Sequence, residues 1–240
     1  MNLVIDLGNT SAKVGLFEHD KLRQYAKIDT NEIYNFVQTH QPEHILICSV
    51  NSDAKVLREQ LISLTTSVYL LNHQLPVPLT NYYQTPHTLG ADRVAAVVGA
   101  KTLHPDQNCL VIDLGTCITY DFIDAANNYW GGSISPGVYM RFRAMHTFTA
   151  RLPLVEPSPD IPLTGRNTTE ALQSGVIYGM AAELEGIIAQ YLQERKTITT
   201  ILCGGDALLF ETKIKAPIFV IPELVLIGLN RILAYNVKRV

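Results

Sequence analysis

One six-residue phrase occurs twice in this chain. Leu3-Val4-Ile5-Asp6-Leu7-Gly8 opens it, and Leu110-Val111-Ile112-Asp113-Leu114-Gly115 repeats it unchanged 107 residues later. Each copy is a short apolar run rich in β-branched residues that ends in Asp and Gly. Small polar residues follow: Asn9 and Thr10 after the first copy, Thr116 after the second. The pattern predicts a buried strand running into a tight turn. A further apolar stretch comes next in both places, Ala12–Phe17 and Ile118–Ile123, which completes the outline of a β-hairpin. A single copy is weak, because an apolar strand followed by Asp-x-Gly is common. Two identical copies, each placed where a half-chain would start, argue an internal duplication. The 240 residues therefore read as two similar α/β halves, 1–108 and 109–240, with both turns lining a cleft between them. The breaker cluster His104-Pro105-Asp106-Gln107-Asn108 marks the junction.

The rest of the chain alternates in the same way. Strand-like runs fall at Glu43–Val50, Ser67–Leu71, Thr200–Cys203 and Ile218–Ile221. Helix-like stretches fall at Asn31–Thr39, Lys55–Leu64, Asp92–Leu103, Thr168–Glu194 and Leu224–Asn236. Asn167-Thr168-Thr169-Glu170 carries the polar start and acidic first turn of a capped helix. Trp130–Gly137 has too many Gly and Pro for regular structure and reads as a tight loop near the cleft; Pro153–Pro162 reads as an extended loop.

Several classes are excluded. Hydrophobic residues make up 47% and charged residues 17%, a balance that argues a packed core and against disorder. A net charge of −3 without a basic stripe gives no electrostatic footprint for nucleic acid. Asp6 interrupts the N-terminal apolar run too early for a signal peptide, and no run has the length of a membrane span. Cys48, Cys109, Cys117 and Cys203 form no CxxC pair. They read as reduced thiols of a cytoplasmic protein, and no His/Cys spacing suits zinc.

The turns suggest a chemistry. A glycine lets backbone amides approach a phosphate, and the hydroxyls of Thr10 and Thr116 can donate to its oxygens. A carboxylate beside such a turn suits Mg²⁺, which binds one or two carboxylates and keeps waters and substrate phosphates. Two such turns facing one cleft could grip a nucleoside triphosphate. Lys13 falls on the second strand of the first hairpin, either reaching a phosphate or simply solvated. Cys203-Gly204-Gly205-Asp206 reads as a strand, a Gly-Gly turn and a helix start, either admitting an adenosine or serving as an ordinary connection. Gly90-Ala91-Asp92-Arg93 precedes the apolar helix Val94–Ala100. Asp92 there is either an N-cap with a salt-bridged neighbour or a base beside a guanidinium that holds an anionic substrate. The histidines are scattered, and neither GxSxG nor GxxxxGK[ST] occurs.

Taken together, these residues resemble the type III pantothenate kinases of the actin/Hsp70/sugar-kinase superfamily. The matching pieces are DLGNTSAK (Asp6–Lys13), SVN (Ser49–Asn51), YQTPHTLGADR (Tyr83–Arg93), DLGTCITYD (Asp113–Asp121) and GGSISPG (Gly131–Gly137). RLP (Arg151–Pro153), GRNTTEALQSGVIYG (Gly165–Gly179), CGGDA (Cys203–Ala207) and PELVLIGL (Pro222–Leu229) extend the match over nearly the whole chain. The resemblance implies duplicated ribonuclease-H-like, actin-like ATPase domains and phosphoryl transfer from ATP to pantothenate, the first step of coenzyme A synthesis. It implies Asp92 as general base, with Tyr83, Gly90, Ala91, Arg93 and Thr168 on pantothenate. ATP would be held by Asp6, Leu7, Gly8, Asn9, Thr10, Ser11, Ala12 and Lys13, with Asp6 near Mg²⁺, and by Thr116. Asp113 would hold a monovalent cation, K⁺ or NH₄⁺, and the chain would act as a homodimer. Cys117, beside the cation site, stands where the family usually has Ala. The rival readings are a kinase for another small acidic or sugar substrate and a nucleotide-dependent regulator. Neither membrane nor nucleic acid is expected as a partner.

Overall fold

Both copies of the repeated phrase become strands buried on both faces. Strand β1 (Asn2–Leu7) leaves Leu3, Val4 and Ile5 with no exposed surface, and β7 (Cys109–Leu114) does the same with Leu110, Val111 and Ile112. A strand covered on both sides loses its polar alternation, which is why the phrase is apolar throughout until Asp. The computed structural model describes residues 1–8, 11–49, 53–65, 67–158 and 160–238. After β1 come β2 (Ala12–Glu18), β3 (Lys21–Ile28), α1 (Ile33–His40), β4 (His44–Ser49), α2 (Asp53–Ile62), β5 (Ser67–Leu70), β6 (Thr80–Asn81) and α3 (Ala91–Leu103). After β7 come β8 (Cys117–Ile123), β9 (Asn128–Pro136), α4 (Val138–Phe148), α5 (Thr168–Arg195), β10 (Thr199–Cys203), α6 (Ala207–Glu211), β11 (Phe219–Val220) and α7 (Leu224–Val237).

The duplication holds in topology as well as in sequence. The first sheet has the order β3-β2-β1-β4-β5 and the second β11-β10-β7-β8-β9-β6. Taken from its other edge, the second sheet runs β9-β8-β7-β10-β11, the same order with β6 added beside β9. β1 pairs antiparallel with β2 and parallel with β4, and β7 pairs parallel with β10.

By compactness the chain forms two units. One comprises Met1–Asp106, Ile123–Gly131 and Glu223–Val240; the other comprises Gln107–Phe122 and Gly132–Pro222. In the first unit, Leu3, Ile5, Leu7 and Val14 pack with Ile33 and Val37 of α1 and Leu57 and Leu61 of α2. The other face of that sheet is covered by α7, which lies on β1, β2 and β4, and by α3 on β4. Two buried asparagines fix α7 in place. Asn230 donates to the His19 carbonyl at 2.9 Å and accepts from Asn2 at 3.1 Å, and Asn236 donates to the Pro76 carbonyl at 2.9 Å. In the second unit, Leu172, Val176, Met180, Leu184 and Ile188 form one stripe of α5 and pack with Leu110, Ile112 and Leu114 of β7. Among the described residues, no helix is long and apolar enough to cross a membrane.

Trp130–Gly137 differs from the expected loop: β9 runs from Asn128 to Pro136. Its Gly131 takes φ +86° against the ring of Tyr83, so the glycine marks a close approach within a strand and not a break in one.

Helices α3 and α7 meet backbone to backbone. A Cβ on Gly228 would overlap the Ala95 carbonyl, and one on Gly99 would overlap the Leu224 carbonyl. Neither obstacle is a flexible side chain, so the helices would have to separate. Gly228→Ala is expected to lower stability by about 3 kcal/mol, the upper end of overpacking effects. Urea unfolding measures this, and an unchanged midpoint would contradict the close contact.

Candidate active site

Asp6 lies one residue before the end of β1, on the face turned away from α1 and α2. The register sets Lys13 of β2 opposite it and Cys48 of β4 beside it. Burial pushes the Asp6 carboxyl up to about 6; Lys13 works against this and Asp92 adds to it. Burial also raises the Cys48 thiol, and Asp6 and Asp92 push it further the same way. Two carboxylates, an amine and a thiol thus share one polar patch at the end of an otherwise apolar face. The chain turns tightly beyond it, with the Gly8 N–H donating to the Ser11 carbonyl at 3.0 Å. Leu7 and Ala12 flank that turn with buried side chains. Asn9, Thr10, Val50 and Asn51 lie outside the described residues.

Asp92 comes from the first turn of α3, whose N-cap is Gly90. Of the two readings of Asp92, the N-cap is therefore overturned, the cap lying two residues earlier at Gly90. The Asp92 carboxylate lies within the turn, where its Oδ1 accepts from the Arg93 N–H at 2.9 Å and the positive end of the helix favours its charge. Ala91 is the first helical residue. Arg93, only 6% exposed, holds its guanidinium 5.6 Å from the centroid of the Tyr83 ring. Such a cation–π contact offsets part of the cost of burying the charge. The Tyr83 ring lies parallel to Tyr129, 6.5 Å between centroids, and its Cδ2 would be 2.7 Å from a Cβ on Gly131. Gly131 frames this site without having been assigned a role from sequence; in the sequence it shows only as one glycine of a pair.

In the second unit, Asp113 occupies the place in β7 that Asp6 has in β1. The Gly115 N–H donates to the Cys117 carbonyl at 3.1 Å, closing the second turn, and Thr116 is exposed on it. Cys203 of β10 is the register partner of Asp113. The next residue, Gly204, has φ +89°, and a Cβ there would overlap the Asp113 carboxylate and lie 2.5 Å from the Leu114 carbonyl oxygen. Only glycine fits both the backbone conformation and the space. The Asp206 N–H donates to the Leu114 carbonyl at 3.0 Å, and burial raises the Asp206 carboxyl. Thr168 is the exposed first residue of α5. The expected cap precedes it: Asn167 Oδ1 accepts from the Glu170 N–H at 2.9 Å, and Asn167 Nδ2 donates to Glu170 Oε1 at 2.8 Å.

The candidate residues thus form clusters within each unit. Asp6, Lys13 and Asp92 are one, Tyr83 and Arg93 a second, Asp113 and Thr116 a third with Gly204, and Thr168 heads α5. Among the described residues, no three His, Cys, Asp or Glu side chains converge as a metal cage. Asp6 and Asp92 are instead a pair of neighbouring carboxylates in one patch.

Comparisons with known proteins identify the family and the fold. The family model for type III pantothenate kinase matches residues 2–190. A type III pantothenate kinase of Cytophaga hutchinsonii is 46% identical over 240 residues, covering 99% of this chain and 100% of that protein. A crystal structure from Campylobacter jejuni, described as a candidate transcriptional activator of the Baf family, superposes with a TM-score of 0.65. It is 21% identical and is covered over 99% of its chain by 98% of this one. The ROK hexokinase of Thermus thermophilus gives a TM-score of 0.50 at 13% identity, over 98% of this chain and 99% of that one. At these identities the two structures speak to the fold alone, a duplicated α/β fold shared with sugar kinases. The full-length likeness in sequence goes further: this chain belongs to the type III pantothenate kinases.

Proposed function

We propose that this chain transfers the terminal phosphoryl group of ATP to the primary hydroxyl of pantothenate, giving 4′-phosphopantothenate for coenzyme A synthesis. The observation that carries this reading is the family likeness over the full chain. Phosphoryl transfer asks a protein for positioning and charge neutralisation more than for covalent chemistry. The turn residues Asp6, Leu7, Gly8, Asn9, Thr10, Ser11 and Ala12 hold the ATP phosphates, with Lys13 supplying positive charge and Thr116 a hydroxyl from the second turn. The raised Asp6 carboxyl beside Asp92 is the kind of crowded acid pair that a divalent cation relieves. Asp6 would hold Mg²⁺, directly or through water, and the ion would supply charge neutralisation on the phosphates. Asp92 takes the proton of the pantothenate hydroxyl. Arg93 supplies the positive charge for the pantothenate carboxylate, and Tyr83, Gly90, Ala91 and Thr168 complete the binding surface. Asp113 would hold K⁺ or NH₄⁺; its carboxylate and the neighbouring Leu114 carbonyl at Gly204 offer oxygens that can coordinate K⁺ or accept hydrogen bonds from NH₄⁺. Self-association as a homodimer belongs to the same reading. The second unit leaves Ile134 of β9 and Tyr139 and Phe148 of α4 62%, 52% and 86% exposed, and Phe148, the most exposed, is the kind of apolar side chain that a partner subunit covers.

Outcomes are expected in three areas: catalysis, pH dependence and assembly. In a coupled assay of ADP release with Mg²⁺-ATP, turnover depends on pantothenate and rises when K⁺ replaces Na⁺. Asp92→Asn lowers kcat about 10²- to 10⁴-fold, the usual worth of a general base, with an unchanged circular dichroism spectrum; near-full activity would remove Asp92 from that role.

The second outcome concerns pH. Folding raises the Asp6 pKa from 3.8 to about 6, so the folded chain keeps this proton longer than the unfolded one. The contribution to stability is whole below about pH 4 and is lost as pH rises past about 6. Asp6→Asn removes that loss. In thermal melts of the metal-free protein, the variant should exceed the parent at pH 8, with the gap closing toward pH 4. A variant less stable at pH 8 would contradict the burial of this carboxylate.

The third outcome concerns assembly. Light scattering should give twice the monomer mass, and Phe148→Glu should shift the protein toward the monomer. A parent protein that is monomeric at every concentration would exclude the dimer.

A further inference from the structure

One carboxylate, Glu183, ties together both sides of the second turn. Its Oε1 accepts from the Tyr120 hydroxyl at 2.7 Å, and Tyr120 lies on β8, the strand that leaves the turn. Its Oε2 accepts from Arg141 Nη2. Arg141 passes the restraint on: Nη2 donates to Ser135 Oγ at 3.0 Å and Nε donates to the Pro136 carbonyl at 2.8 Å. The next residue, Gly137, donates its N–H to the Thr116 carbonyl at 3.2 Å. The fit there is so close that a Cβ on Gly137 would overlap the Gly115 carbonyl and lie 2.6 Å from that of Thr116. The line of contacts runs from Glu183 through Arg141 and Ser135–Gly137 to Gly115 and Thr116. Nothing in it is a long exposed ion pair of the kind that contributes little. Arg141 and Glu183 expose 23% and 26% of their side chains, and the guanidinium uses its fork on three oxygen acceptors at once. Burial pushes the Glu183 carboxyl up, yet hydrogen bonds from Arg141, Tyr120 and Ser135 hold it below its ordinary value.

We infer that Glu183 is a positioning residue for the nucleotide, acting through Arg141 to fix the backbone of the Gly115–Thr116 turn. The inference rests on the proposed reading in which that turn contacts ATP. Glu183 sits fifteen residues along α5 from Thr168, about 22 Å at helical rise. A defect at Glu183 should therefore be felt on the nucleotide side and not on the pantothenate side.

The test is binding of Mg²⁺-ATP by calorimetry without pantothenate, followed by steady-state kinetics with both substrates. Glu183→Gln keeps the shape and loses the charge. It is expected to weaken ATP binding and raise KM for ATP about tenfold, the worth of one charged hydrogen bond, with KM for pantothenate unchanged. Arg141→Lys keeps the charge and loses the fork; it is expected to do the same, and it is the deciding variant if Glu183→Gln does not fold. A merely structural role would move neither substrate selectively. Unchanged ATP affinity in a folded variant, or equal losses for ATP and pantothenate, would overturn the inference. A parent protein that binds ATP but does not phosphorylate pantothenate would sink the substrate reading and leave the ATP-binding result decisive for Glu183. A parent that does not bind ATP would sink both.

Discussion

A carboxylate at the end of a strand buried on both faces is the constraint on which this structure depends. The apolar run of β1 forces the sheet to be covered by helices, and Asp6 then has to be accommodated where that cover ends. Burial is the main cause that moves its carboxyl up to about 6. Lys13 opposes this from β2, and the adjacent end of α3 brings Asp92 into the same patch with the charge-favouring end of a helix. The second copy solves the same problem by different means. Its β8 carries neither lysine nor arginine, and Asp113 is instead set against Gly204 and the backbone around Leu114. The duplicated halves share a strand order but have diverged in how each balances its aspartate.

That divergence fits the division of labour in the proposed reaction. The first turn closes from Gly8 to Ser11 and the second from Gly115 to Cys117, one residue shorter. The first can surround phosphates and has a lysine for their charge. The second presents one hydroxyl and backbone carbonyls, so its contribution lies in where its backbone stands. A short turn of this kind needs rigid support. The contacts from Tyr120, Arg141 and Gly137 supply it from both sides.

Much of this was legible in the sequence. The repeated LVIDLG phrase located both central strands and hairpins, since a doubly buried strand has a continuous apolar signature. Asn167 and Glu170 announced the start of α5 because capping is local. Long-range pairing was not legible. Asn230 and Asn236 of α7 bond to His19 and Pro76, 211 and 160 residues away, so nothing near α7 told which unit it joins. Gly131 looked like a breaker until Tyr83, far away in the chain, proved to lie against it. Arg141 and Glu183 are 42 residues apart, and each alone reads as an ordinary surface charge.

The pairing of Asp6 with Asp92 also bears on the charge balance of the proposed reaction. Two neighbouring carboxylates in a partly dry site resist ionising together, and each raises the proton affinity of the other. A base beside an ionised acid is a stronger base but is harder to keep ionised. Positive charge arriving with the nucleotide on the Asp6 side would offset the negative charge of an ionised Asp6 and lessen its repulsion of Asp92. In the proposed reaction the two carboxylates therefore respond together to the charge of what binds beside them, through one polar patch at the end of an apolar sheet.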